Sequence, residues 1–288
     1  MTFERYKGDG TLPNPLNRRE LGSYRASRQL ATAVNTALAV EQPLLITGEP
    51  GTGKTTLAWS IASELGLPDV LEFHTRSDHQ AKDTLYEFDN LQRFYDAYHA
   101  GSVMDLERYV RWRPLGEAIR SDTQRLVLID EIDKAPRDFP NDLLDVIDKM
   151  EFTVDETRAQ VRANVRPIVL ITSNRESQLP DAFLRRCVFH HISFPSADQL
   201  KEIINERLGD LRLESKLIDT AISRFRELRG QPNLRKKPAT HELITWLRVL
   251  HQAGISEEAL LGPLSTLFGH SVLLKNLDDL KIVEAHLN

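Results

Sequence analysis

Between positions 48 and 55 the chain reads Gly48-Glu49-Pro50-Gly51-Thr52-Gly53-Lys54-Thr55, the G-x-x-x-x-G-K-[ST] spacing of a phosphate-binding loop. Glycines here let backbone N–H groups turn inward and approach a phosphate with no Cβ in the way. Lys54, Thr55 and Thr56 then open a helix whose N-terminal partial charge favours the same anion. Lys54 is placed to reach the β- and γ-phosphates of a nucleotide, and the Thr55 hydroxyl to bind Mg²⁺. An accidental match is expected in on the order of one per cent of chains of this length, given average residue usage. The flanking residues lower that figure. We read a nucleotide site.

A second constellation closes the run Arg125-Leu126-Val127-Leu128-Ile129-Asp130-Glu131. Its unbroken apolar stretch predicts a strand buried on both faces of a parallel sheet. Such a strand delivers two carboxylates at its C-terminal end, where ligands bind in open α/β sheets. Asp130 fits an aspartate that holds Mg²⁺, directly or through water. Glu131 is placed to polarise a water for in-line attack on the γ-phosphate. The plainer reading is acidic residues opening a helix, and the phosphate loop upstream favours the functional one. Asn174, closing Ile168-Val169-Leu170-Ile171-Thr172-Ser173, is a candidate to orient that water. Its plainer reading is a strand-end turn, where Asn is common.

The elements that must position these residues are legible in the pattern. Pro43 to Thr47 reads as a buried strand before the loop. Leu57, Ala58, Ile61, Ala62 and Leu65 follow at helical spacing, stopped by Gly66 and Pro68. A helix from near Ser27 carries Leu30, Val34 and Leu38. Further strands are expected at Val70 to Phe73 and Val188 to Phe194. In the latter, His190 and His191 point to opposite faces, which disfavours a shared metal. Phe139 to Met150 reads as a helix, and residues 151–167 as a β-hairpin. Leu179 to Arg186 sets Arg185 and Arg186 on a short helix. Residues 74–123 are polar and aromatic-rich. Phe94, Tyr95 and Tyr98 there form a helical stripe, expected to pack into a core beneath a long insertion rather than to cage a ligand.

Past Pro195 the pattern turns helical throughout. Ser196 and Gln199 resemble a capping box ahead of Leu200, Ile203, Ile204 and Leu208. Two further helices carry Leu217, Ala221, Ile222, Phe225 and Leu243, Ile244, Leu247, Leu250. One or two more follow by Val283.

At 288 residues and a net charge of −5, the chain suits a globular protein with a full core, and non-specific nucleic-acid binding has no electrostatic support. Its single cysteine, Cys187, excludes an intramolecular disulfide and suits a reducing compartment. There is no apolar leader and no run near the ~20 apolar residues of a membrane span. The expectation is a cytoplasmic protein without a membrane span.

In order, GEPGTGKT, LVLIDEID, VLITSN and LPDAFLRRC followed by helices resemble an AAA+ ATPase over about Tyr24 to Val283. PLLITGEPGTGKT and RKKPATHELITWLRVL are similar to the MoxR-like group. The resemblance implies an α/β fold: a P-loop NTPase core with a mainly parallel sheet flanked by helices, plus a small all-helical lid. The corresponding division is an N-terminal arm over 1–23, a core over 24–195 and a lid over 196–288. It further implies ATP bound with Mg²⁺ between subunits of a homo-oligomeric ring, a hexamer in most members. Asn174 would take the sensor 1 role. Arg186, or Arg185 beside it, would be the finger offered to the neighbouring subunit, against the plainer reading of a surface salt bridge. The lid departs from the pattern, since Pro238-Ala239-Thr240-His241-Glu242 lacks the sensor 2 arginine, leaving Lys236, Lys237 or His241 to substitute or the contact absent. Stretches 74–123 and 151–167 correspond to family insertions and are the candidates for partner contact.

The leading expectation is an ATP-driven chaperone that remodels a client, with von Willebrand A-domain partners suggested by the same resemblance. A nucleotide-dependent scaffold with little hydrolysis is the alternative. An AAA+ motor on nucleic acid is disfavoured by the charge and by the absence of an appended DNA-binding motif. The chain lacks the N-K-x-D stretch of GTPases, and Thr56 stands where a dinucleotide fold needs its third glycine.

Overall fold

The computed structural model describes residues 5–9, 24–100, 105–174 and 179–285. Packing divides the chain into two compact units, Met1–Gly48 with Gly53–Ile192, and Glu49–Thr52 with Ser193–Asn288.

The first unit opens with α1 (Arg28–Val40), β1 (Leu44–Gly48), α2 (Lys54–Glu64) and β2 (Leu71–His74). Ser27 caps α1 by accepting the Leu30 N–H, and Leu30, Val34 and Ala37 form its buried stripe. An insertion follows: β3 (Tyr86–Phe88), α3 (Asn90–Ala100), β4 (Val110–Trp112) and α4 (Pro114–Arg120). The unit then runs through β5 (Leu126–Asp130), α5 (Phe139–Lys149), β6 (Glu151–Thr153), β7 (Gln160–Arg162), β8 (Ile168–Ser173), α6 (Asp181–Leu184) and β9 (Val188–Ile192). Five strands form one parallel sheet in the order β2–β5–β8–β1–β9. Burial follows position. β1 lies between two neighbours and is buried along its whole length, β5 is buried up to Ile129, and the edge strand β9 alternates exposed and half-buried residues. The sheet and the β6–β7 hairpin stand where the sequence predicts them.

The insertion departs from expectation. β3 and β4 pair as a separate antiparallel ribbon that sends Tyr86 and Val110 inward, and Tyr109 in the turn before β4 is buried as well. α3, carried between them, leaves its stripe in solvent: Leu91, Phe94, Tyr95 and Tyr98 are 82, 63, 59 and 87% exposed. The expected core packing is therefore corrected. The helix is tethered by its polar side instead. Tyr109 donates to Asp96 at 3.0 Å, Gln92 N–H to Asp89 Oδ1 at 2.9 Å, and Arg111 pairs with Asp89. With 89, 92 and 96 holding the helix, the face bearing 91, 94, 95 and 98 points away.

The second unit is helical among the described residues: α7 (Ala197–Leu208), α8 (Ser215–Arg229), α9 (Thr240–Gln252), α10 (His270–Leu273) and α11 (Leu277–Ala285), with short 3₁₀ turns. Ser196 and Gln199 cap α7 reciprocally. Leu200, Ile204, Phe225, Leu243, Trp246 and Leu250 form its core, where the Trp246 indole donates to the Phe268 carbonyl at 2.7 Å.

Candidate active site

Parallel pairing brings three strand ends to one edge of the sheet. The registers Thr47↔Ser173 and Ile129↔Ile171 set Gly48 level with Asn174, and Asp130 level with Thr172, at that edge. The phosphate-loop glycines take conformations other residues avoid, with φ of 151° at Gly48, 78° at Gly51 and 88° at Gly53. A Cβ on Gly53 would also stand 3.0 Å from the Tyr24 ring. Glu49 and Pro50 are exposed, Thr56 is half-buried, and the buried Thr52 donates its hydroxyl to the Glu49 carbonyl at 2.9 Å.

Lys54 is only 7% exposed. Its ammonium donates to the Gly48 carbonyl at 2.8 Å and to Asn174 Oδ1 at 2.9 Å. Asn174 Nδ2 in turn donates to Glu131 Oε1 at 3.2 Å, and the Asn174 N–H to Asp133 Oδ1 at 2.9 Å. Lysine, amide and carboxylate are thus linked in a chain across the strand ends. Beside it the Thr55 hydroxyl lies 3.2 and 3.4 Å from the two Asp130 oxygens. His74 on the edge strand approaches Asp130 at 3.4 Å and Glu72 at 3.3 Å, and Glu72 accepts the Trp59 indole N–H at 2.6 Å.

Two residues join the cluster that the sequence did not single out. Thr172 is fully buried, donates its hydroxyl to Asp130 Oδ1 at 2.6 Å and accepts the Glu131 N–H at 2.9 Å. One hydroxyl therefore orients both acidic residues. The signal was present, since Thr172 lies two before Asn174 on a strand and so shares its face. Lys134 forms an ion pair with Glu131, three residues apart on a 3₁₀ turn. That bond holds the Lys134 ammonium above its ordinary pKa. Glu131 itself has left-handed backbone at φ 56°.

The arginines stand apart. Arg185 and Arg186 are exposed, and Arg186 Nε pairs with Asp148 of α5 at 3.1 Å. Lys236, Lys237 and His241 are exposed on the second unit.

The donor chemistry suits Mg²⁺. A hydroxyl and a carboxylate in contact supply hard oxygens, and Mg²⁺ takes one or two such protein ligands, with water and phosphate completing the shell. Among the described residues no cluster of three or more His, Cys, Asp or Glu forms a metal cage, and no helix is long and apolar enough to cross a membrane.

A strand, glycine loop and helix, with acidic residues at the end of another strand of the same parallel sheet, define a P-loop fold. Residues 44–196 match the profile of the ATPase family associated with various cellular activities, AAA. The chain belongs to the AAA family of nucleotide-binding ATPases. It is 25% identical over 232 residues to midasin of Giardia intestinalis, covering 77% of this chain and 4% of midasin. It is 31% identical over 176 residues to chaperone protein ClpB of Yersinia enterocolitica, covering 58% of this chain and 18% of ClpB. The chain thus spans a small part of the length of these relatives. NtrX from Brucella abortus shares the fold at a TM-score of 0.53 and 13% identity, covering 82% of this chain and 52% of that one.

Proposed function

We propose that this chain binds ATP with Mg²⁺ and hydrolyses it, and that hydrolysis drives a ring of copies, a hexamer by family resemblance, to remodel a partner protein. The observation that carries this reading is the hydrogen-bonded chain Lys54–Asn174–Glu131 beside the Thr55–Asp130 pair. In it, Gly48 through Thr56 hold the phosphates, with Lys54 turning its protons from the Gly48 carbonyl to the β- and γ-phosphates. Thr55 and Asp130 would hold the Mg²⁺, which would supply charge to offset that developing on the phosphates. Glu131 accepts a proton from the attacking water, and Asn174 orients that water. Arg186, or Arg185, leaves the surface and meets the γ-phosphate of the neighbouring copy, for which Arg186 exchanges Asp148 for phosphate. A finger supplied in trans is worth about 10³–10⁵ in rate. The chaperone part is supported by the likeness to chaperone protein ClpB. The MoxR-like assignment and a von Willebrand A-domain partner rest on the sequence resemblance.

The test is ATP turnover per subunit across protein concentrations, for wild type beside Glu131→Gln and Arg186→Ala. Specific activity that rises with concentration and is lost in both variants supports a shared site. Concentration-independent turnover with Arg186→Ala silent removes the finger. ATP binding without turnover, even with a partner present, favours the scaffold reading, to which the missing sensor 2 arginine also points.

A further inference from the structure

We propose that Lys134 is a brake on hydrolysis: in the nucleotide-free chain its ion pair with Glu131 withholds the carboxylate that would accept the proton of the attacking water. The inference rests on the role of Glu131 proposed above. It starts from both Glu131 oxygens being engaged, Oε1 by Asn174 Nδ2 at 3.2 Å and Oε2 by the Lys134 ammonium. A carboxylate in this state has its lone pairs turned toward two donors, so neither oxygen faces an incoming water.

The local backbone builds the pair in. Glu131 takes left-handed φ and ψ at the N-cap of the turn Ile132–Lys134, and the Lys134 N–H donates to the Glu131 carbonyl at 2.9 Å. The left-handed residue and the turn after it bring the two side chains together as an ion pair three residues apart. The buried Thr172 hydroxyl fixes the Glu131 N–H, so relief comes through the side chains. Lys134 is the freer partner, with 55% of its side chain exposed against 38% for Glu131. Asn174 has a reason to let go when nucleotide arrives, because its Oδ1 is bonded to the Lys54 ammonium that the phosphates recruit. Among the described residues, the groups acting on Lys134 are the acids Glu131, Asp133 and Asp130, with no cation that the phosphates recruit. Release of Lys134 is therefore a separate step, available to a neighbouring copy or a partner that offers it another acidic group.

An exposed ion pair is weak, so the brake is modest. Lys134→Met, which removes the charge and keeps the length, should raise kcat about two- to fivefold at unchanged KM for ATP. Lys134→Arg should gain less, and rising ionic strength should lift wild type more than Lys134→Met. An independent readout uses a water-soluble carbodiimide, which joins a carboxylate to a touching amine. Peptide mapping should find Glu131 and Lys134 cross-linked in the nucleotide-free chain, and the product should diminish with a non-hydrolysable ATP analogue and Mg²⁺. Absence of the cross-link, or a Lys134→Met rate at or below wild type, overturns the proposal. If Glu131→Gln hydrolyses as fast as wild type, the assignment of Glu131 fails, and the brake with it. If wild type is inert, turnover gained in Lys134→Met supports the brake, and none gained overturns it.

Discussion

Thr172 neither titrates nor bonds to phosphate, yet its hydroxyl is shared by Asp130 and the Glu131 backbone. Valine would fill the same space, strip the half-buried Glu131 N–H of its acceptor and leave Asp130 Oδ1 with the Thr55 hydroxyl alone of its two hydroxyl donors. Thr172→Val should cost about 1–3 kcal/mol in the free energy of unfolding, measured by denaturant titration. Turnover should fall on the order of tenfold as the carboxylates lose their set position. Thr172→Ser, which restores the hydroxyl, should recover most of both. If valine leaves stability and rate unchanged, the hydroxyl does not position the pair.

At the scale of elements, the insertion joins the core through a glycine. A Cβ on Gly116 of α4 would stand 1.9 Å from the Leu85 carbonyl oxygen, which also accepts the Arg113 N–H at 3.0 Å. Backbone cannot swing aside as a side-chain tip can. Gly116→Ala should cost about 1–3 kcal/mol by overpacking, despite alanine's better helix propensity, and a lowered denaturation midpoint is the check. The neighbouring α3 makes the opposite case. Because Leu91 and Tyr98 are 82 and 87% exposed, Leu91→Gln with Tyr98→Gln should change stability by no more than about 0.5 kcal/mol each. A larger loss in the same titration would mean that the stripe is covered in solution.

For the whole molecule, buried acids that ionise late set the alkaline limit. Burial pushes the Cys187 thiol from an ordinary 9.0 up to about 12, and also raises the Tyr6 and Tyr24 hydroxyls. Between pH 9 and 12 the unfolded chain has released protons that the folded chain keeps. Stability should therefore hold below pH 9 and fall as pH rises through that window. Urea midpoints at successive pH values test the sign, and a flat profile would contradict it. The same burial should make Cys187 slow to react with thiol reagents until the chain unfolds.

The sequence by itself determined the sheet, the phosphate loop and the helical tail. Each rests on local physics: an unbroken apolar run demands burial on both faces, a glycine pattern permits N–H groups to converge, and a 3.6-residue period demands one buried stripe. Lys54, Asp130, Glu131 and Asn174 were singled out by type and by position at a helix start or strand end, and the fold links Lys54, Asn174 and Glu131 by hydrogen bonds. Only tertiary structure decided the rest. The stripe on α3 has the period of a core helix, but the polar tethers at Asp89 and Asp96 turned it to solvent. Thr172 gained its place when β5 and β8 aligned in register, and Lys134 met Glu131 through a left-handed residue that no pattern announces. Local sequence sets which face of an element wants burial, whereas the partners assembled by the fold decide which face receives it.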